Sequence, residues 1–306
     1  MLGLLERIAP YGRWCLVIGL VAGLALPGIA ALLRPWLPEL IAALLCLAAL
    51  RIGPTASTGG LRDLGQTLRV LAVFQVLAPM LALGALHLFG VTHAPWALAL
   101  VLVLAAPSVT GSPHFAIMMG KDPVMPMRLL LVGTAIFPLT VVPVLWLSPA
   151  AETTGQVIAG ALRLLGVIAG AVGLAFVIRS TIWRQIKDNQ RNALDGASAV
   201  LLAVVVVGLM SAVGPALADR PVSLLGWLCF ALVLNFGLQL LTWHALPLDH
   251  PERDRTGAAI VAGNRNIALF LVALPEATTD VILLFIGCYQ VPMYLTPLLM
   301  KRLIAR

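Results

Sequence analysis

Six consecutive residues, Val261-Ala262-Gly263-Asn264-Arg265-Asn266, put a guanidinium and two carboxamides into an otherwise apolar run from Ala258 to Leu274. An arginine at the centre of a membrane span costs about 2.5–3.5 kcal/mol on insertion scales. A charge held at that cost calls for a purpose, and two chemistries fit. The planar guanidinium fork matches carboxylate, sulfate or phosphate, which makes Arg265 an anion-binding or coupling residue with Asn264 and Asn266 beside it. In the second, structural, reading it pairs with backbone carbonyls at the end of a broken helix. Gly263 and the two asparagines weaken the helix at the same point.

A matching stretch lies in the first half of the chain: Ala106-Pro107-Ser108-Val109-Thr110-Gly111-Ser112-Pro113-His114. Pro107 and Pro113 each lack a backbone donor and disfavour helix in the preceding residue. Ser112 followed by Pro113 reads as an N-cap and first turn, and Asn264 is expected to cap the second half of the other break in the same way. Two half-helix N-termini would then aim their positive ends at one site. Thr110 and Ser112 serve there either as caps or as hydroxyl donors to a substrate. His114 is a candidate for proton coupling or simple packing. Asn235 and Gln239, spaced i, i+4, share a helix face and read chiefly as interhelical glue worth about 0.6–2 kcal/mol. Gln75 and Gln290 are similar, and Asn235 and Gln75 also count as candidate substrate contacts. Ser112 and His114 are two residues apart on a helix and do not meet. No HExxH motif or pair of intramembrane aspartates is found, so the chain is not expected to be an enzyme.

The elements that must position these residues are membrane helices. The chain is 60% hydrophobic and 11% charged, with mean hydropathy +1.00, against roughly 25% charged residues in soluble domains. Ten apolar spans of membrane-crossing length are expected: Trp14–Ala31, Trp36–Ile52, Leu68–Phe89, Pro95–Met119, Val124–Leu147, Val157–Ile178, Ala193–Pro215, Leu224–His244, Thr256–Pro275 and Val281–Leu303. With the N-terminus inside, only Arg34, Arg163 and Arg220 fall outside and Arg265 falls in the membrane; the other basic residues face the cytoplasm. This is the positive-inside pattern, so the net charge of +7 reflects topology rather than nucleic-acid binding. Trp14, Trp36, Trp96, Trp146, Trp183 and Trp243 sit near span ends as interface anchors. Cys15, Cys46, Cys229 and Cys288 lie in apolar runs without CxxC spacing and read as small buried hydrophobes. Arg7 and Arg13 before a full-length span read as an uncleaved anchor. The expectation is an integral protein of a bacterial inner membrane, both termini cytoplasmic, needing no cofactor.

Five plus five spans allow an inverted repeat, about 1–150 and 151–306, within one membrane domain, which makes spans four and nine the equivalent broken pair. These breaks resemble those of the bile acid:sodium symporter family. Pro107-Ser108-Val109-Thr110-Gly111-Ser112-Pro113 looks like the family's fourth-span Pro-Gly-Gly-Thr-Ala-Ser-Asn signature. Val261 to Asn266 is similar to its ninth-span Glu-X-Gly-X-Gln-Asn signature at the Gly and the last Asn. Phe74-Gln75-Val76-Leu77-Ala78-Pro79 resembles a third-span Gln-Phe…Pro segment, and Asn235 with Gly237 resembles an eighth-span pattern.

The resemblance implies an all-α polytopic membrane protein, with ten transmembrane helices as two inverted five-helix repeats and discontinuous crossing helices four and nine. Spans 1, 2, 6 and 7 would form a panel, and spans 3–5 and 8–10 a core. It further implies alternating-access transport of a small organic anion, driven by sodium in the family. The family's sodium-binding Glu, Gln and Asn fall at Val261, Arg265 and Pro113 here. A site that exchanges a carboxylate for a guanidinium should not hold a cation, so Arg265 is expected to supply in fixed form the charge that sodium supplies elsewhere. Two other readings stand beside this one. The chain is a sodium-coupled symporter with cation sites rebuilt from carbonyls and Thr110, Ser112, Asn264 and Asn266, or it is a non-transporting membrane sensor or assembly module.

Overall fold

The computed structural model describes residues 2–59, 64–150, 153–184, 186–246 and 252–304. They form helices α1 (Leu2–Ile8), α2 (Gly12–Ala25), α3 (Pro27–Leu33), α4 (Leu37–Gly59), α5 (Leu64–Ala72), α6 (Ala78–Leu88), α7 (Pro95–Ala105) and α8 (Ser112–Met118). The second half adds α9 (Val124–Leu147), α10 (Thr154–Thr181), α11 (Asp188–Leu209), α12 (Val213–Asp219), α13 (Pro221–Ala245), α14 (Glu252–Gly263), α15 (Phe270–Ala273) and α16 (Glu276–Ile304). Among the described residues there is no strand beyond one isolated β-bridge. Seven helical stretches are long and apolar enough to cross a membrane, or eight if the bent pair Gly3–Tyr11 and Trp14–Ala25 is one span. The all-α membrane character expected from composition is therefore present.

Spans two, three, five, six, seven, eight and ten each find a continuous apolar helical stretch. Spans four and nine are interrupted: span four becomes α7 and α8, and span nine becomes α14, a 3-10 turn at Ile267–Leu269 and α15. Span one departs from expectation. It was expected to run unbroken to Ala31, but α2 stops at Ala25 and Leu26 adopts φ −123°, ψ 65°. The cause is Pro27, whose ring drives the preceding residue out of helix and supplies no donor. Residues 27–33 instead join the stretch Pro27–Arg51, with Arg34–Trp36 as a 3-10 turn inside it. The outer loop expected at Arg34 is thus absorbed into a helical run.

The chain groups into two compact units, Met1–Gly59 with Gly166–Leu225, and Gly60–Leu165 with Gly226–Arg306. The first is held by close packing of α2 on α11. A Cβ on Gly19 would lie 2.7 Å from the Ala203 carbonyl oxygen, and one on Gly23 would lie 2.6 Å from Met210 Cβ. A Cβ on Gly196 would collide with the Leu5 carbonyl of α1. Small residues at this spacing let apolar backbones approach, the usual device where lipid removes the hydrophobic drive for helix association. Arg51 of α4 forms a two-pronged ion pair with Asp195 of α11, its Nη2 3.1 Å from Oδ2.

In the second unit, Gly257 lets α14 lie against α9, since a Cβ there would meet Met125 Cβ at 2.7 Å and Pro126 Cδ at 2.8 Å. Leu71, Met125, Leu129 and Val261 form the buried cluster beneath that contact. Gly160 of α10 similarly accommodates the Ala273 carbonyl of α15. The four cysteines are free, but only Cys288 is buried; Cys15 and Cys46 are half-buried and Cys229 is exposed. Apolar exposure is cheap on a lipid-facing helix, which is why the expectation of buried cysteines fails for the others.

Candidate functional site

The site begins with the failure of α7. This eleven-residue apolar helix ends at Ala105, and Ala106 turns to extended backbone at φ −60°, ψ 146°. Pro107 dictates both facts, because it offers no N–H to continue the ladder and excludes helix in the residue before it. Regular structure resumes only at Ser112. Helix α14 fails at Gly263, and Asn264, Arg265 and Asn266 run through in extended or irregular backbone, Asn266 at φ −85°, ψ 65°.

The two unwound segments repair each other. Ser108 and Arg265 form an antiparallel β-bridge. The Val109 amide donates to the Asn264 carbonyl at 3.0 Å, and the Asn266 amide donates to the Pro107 carbonyl at 2.8 Å. Buried backbone polar groups must find internal partners, and irregular backbone survives here because each break supplies what the other lacks.

Arg265 completes the junction and is only 2% exposed. Its Nε donates to the Ala262 carbonyl at 2.9 Å, and Nη1 donates to the Ala106 carbonyl at 3.1 Å. The guanidinium carbon lies 4.5 Å from the centre of the Phe74 ring. Ala262 lies in the last turn of α14 and Ala106 is the C-cap of α7, so the charge sits between the C-terminal ends of the two half-helices. Each helix C-terminus carries about −0.5 elementary charge. Two of them match one guanidinium.

The side-chain caps expected at the two half-helix N-termini are not made. Helix N-termini were expected to face the site, with Ser112 and Asn264 capping them. Helix α8 has seven residues and α15 has four, too few peptide dipoles to sum to much of a macrodipole. Ser112 lies within α8, behind an N-cap at Gly111 that has no side-chain bond. Asn264 turns backward, donating from Nδ2 to the Ile260 carbonyl at 2.7 Å. Of the two roles open to Arg265, pairing with helix-end carbonyls is the one its hydrogen bonds make.

Phe74 reaches Arg265 from a π-helical turn, Val73–Leu77, between α5 and α6. Pro79 accounts for that turn: its ring would clash with the Gln75 carbonyl in a regular helix, and the wider turn relieves the clash. The neighbouring Gln75 faces α9, donating to the Gly133 carbonyl at 3.2 Å and accepting from Thr140 Oγ1 at 3.0 Å. Gly133 makes room for it, since a Cβ there would lie 2.9 Å from Gln75 Nε2.

Behind the junction, the Gly263 carbonyl accepts from Tyr289 Oη at 2.6 Å and from Asn235 Nδ2. Gln239 Nε2 donates to Asn235 Oδ1 at 2.7 Å and to Thr296 Oγ1 at 3.1 Å, and Thr296 Oγ1 donates to Asn264 Oδ1 at 3.1 Å. All five side chains are fully buried. The interhelical glue expected of this pair is the bond from Asn235 to Gly263 of α14 and the bond from Gln239 to Thr296 of α16, while the Asn235–Gln239 bond ties the two together along α13. Gly263 itself admits no side chain, because a Cβ would collide with the Asn235 carbonyl and stand 2.9 Å from Gln239 Nε2.

The sequence-derived candidates therefore separate. Arg265, Asn264 and Asn235 converge on the junction and its support. Thr110 and Asn266 are half-buried on the unwound segments, and Ser112 is fully buried with its hydroxyl unpartnered. Gln75 belongs to the α9 contact, and His114 is exposed on α8. Three participants were not singled out from the sequence: Phe74, Tyr289 and Thr296. Tyr289 had a usable signal, a phenol in the middle of an apolar span that must find a partner when buried. Among the described residues, no group of three or more His, Cys, Asp or Glu could hold a metal ion. No family model matches the chain, and no curated protein matches it.

Proposed function

We propose that this chain is a secondary membrane transporter of the bile acid:sodium symporter type, moving a small organic anion by alternating access about the junction of the two broken helices. In this reading Arg265 is a built-in cation that takes the place of bound sodium. The observation that carries it is the pair of bonds from Arg265 to the carbonyls of Ala262 and Ala106. A mobile cation coupled to transport is drawn to the same features, namely carbonyl oxygens at helix C-termini.

Membership of the two units lends further support. One unit gathers spans one, two and seven with most of span six, and the other gathers spans three to five and eight to ten, the panel and core that the family resemblance implies. Half-buried Thr110 and Asn266 offer neutral donors beside the junction. Placement in a bacterial inner membrane, with both termini cytoplasmic and ten spans in two inverted repeats, belongs to the same proposal.

Uptake of carboxylate and sulfate anions into vesicles holding the purified protein tests it. Accumulation that is the same with and without a sodium gradient is the expected result, and strict sodium dependence overturns the built-in-cation reading. The second reading, a sodium symporter with rebuilt sites, draws on the unpartnered Ser112 hydroxyl. It predicts sodium-dependent uptake that is lost in Ser112→Ala.

A further inference from the structure

We infer that the turn between α10 and α11 is a binding site for the phosphate of an anionic lipid headgroup. Helix α10 has 28 residues, which at about 1.5 Å each gives about 42 Å, longer than the roughly 30 Å hydrocarbon core. Its final turn therefore reaches the headgroup layer. Leu174, Val177 and Ile182 are exposed around that end, the apolar collar expected just below the phosphates.

Four basic side chains gather there: Arg179, Arg184, Lys187 and Arg191. Arg184, Lys187 and Arg191 are exposed. Lys187 is the extended N-cap of α11 and Arg191 lies in its first turn, so both sit at the start of that helix. The basic groups outnumber the acidic ones near them, which are Asp188, Asp195 and, beside Asn192, Glu6 of α1, itself next to Arg7. Both oxygens of Asp195 accept from Arg51, which leaves Asp188 as the remaining carboxylate on this stretch.

Two further features favour a bound phosphate over a merely solvated basic surface. Arg179 is half-buried and its Nη1 makes no hydrogen bond, so a small shift of this side chain would offer a phosphate oxygen a guanidinium donor. The turn is also braced: Trp183 and Ile186 pack on the buried cluster of Leu50, Ala175 and Leu194. The Arg184 Nε bond to the Ser180 carbonyl at 2.9 Å closes the end of α10. A basic turn anchored by Trp183 and Ile186 at headgroup depth suits selective retention of an anionic lipid.

The test uses the full-length protein in detergent, titrated with phosphatidylglycerol, with phosphatidylcholine, and with inorganic phosphate alone, read by thermal shift and by native mass spectrometry of retained lipid. Phosphatidylglycerol should stabilise the protein and stay bound where phosphatidylcholine does not. Its affinity should fall about fivefold for each basic residue removed in Lys187→Gln and Arg191→Gln, and should survive in Lys187→Arg. The exposed Arg69→Gln, in the other unit, should leave it unchanged. Equal retention of both lipids, an equal loss in Arg69→Gln, or full stabilisation by inorganic phosphate alone would each overturn the assignment.

Discussion

The guanidinium of Arg265 donates to the carbonyl of Ala106 across 159 residues of sequence, at 3.1 Å. With the Nε bond to Ala262, this makes one side chain the shared terminus of two helices, α7 and α14, that stop at facing breaks. Hydrogen bonds involving a charged group contribute about 1.5–3 kcal/mol each, and Gln in its place would leave both carbonyls buried and poorly met. Arg265→Gln should therefore destabilise the protein by about 3 kcal/mol or more, seen as a large drop in detergent melting temperature. Arg265→Lys should fall in between: it keeps the charge but loses the planar fork and the face on Phe74. A melting temperature unchanged in Arg265→Gln would remove the structural role altogether.

Phe74 makes the next prediction. A cation over an aromatic face in a desolvated place is worth about 2 kcal/mol, and Phe74→Leu preserves most of the apolar volume. The variant should lose about 1–2 kcal/mol, and this loss should vanish when the same change is made in an Arg265→Gln background. Full additivity in that double-mutant cycle would show that the ring only fills space.

How much of this was legible in the sequence depends on the kind of signal. The two breaks were readable because Pro107, Pro113, Gly263 and the flanking asparagines act locally on their own backbone. The direction in which Arg265 points was not, since its partners are carbonyls, and every residue has one. Proline misled at Leu26-Pro27, where an apolar window through Ala31 outweighed a local stop signal that the chain obeys. Phe74 was hidden for a different reason. A phenylalanine in an apolar span carries no mark of its neighbour, and the π-helical turn that aims it comes from Pro79, five residues on. The hydroxyl of Thr296 meets Asn264 and Gln239 only through the packing of three helices, which no single stretch of sequence records.

Gly263 bears on the junction from behind. Its missing side chain lets the Asn235 backbone and Gln239 close over the end of α14. Gly263→Ala should cost well over the roughly 1–3 kcal/mol typical of overpacking, because the collision is with backbone rather than a flexible tip. The same change at Gly237, where a Cβ meets nothing within 4 Å, should be neutral or slightly stabilising. Chemical or thermal unfolding of the pair checks this, and equal effects at both sites would contradict the close approach.

Tyr289 and Asn235 share one acceptor, the carbonyl of Gly263. Removing either donor leaves the other, so neither loss strands the oxygen. Tyr289→Phe alone should cost about 1 kcal/mol, the usual net worth of a hydrogen bond. Combined with Asn235→Leu it should cost more than the two single changes together, since the carbonyl at the end of α14 then stands unpaired in a dry interior. Unfolding free energies of the two single variants and the double variant decide it. Simple additivity would mean that each donor acts alone, and the end of α14 would then be held chiefly by Arg265.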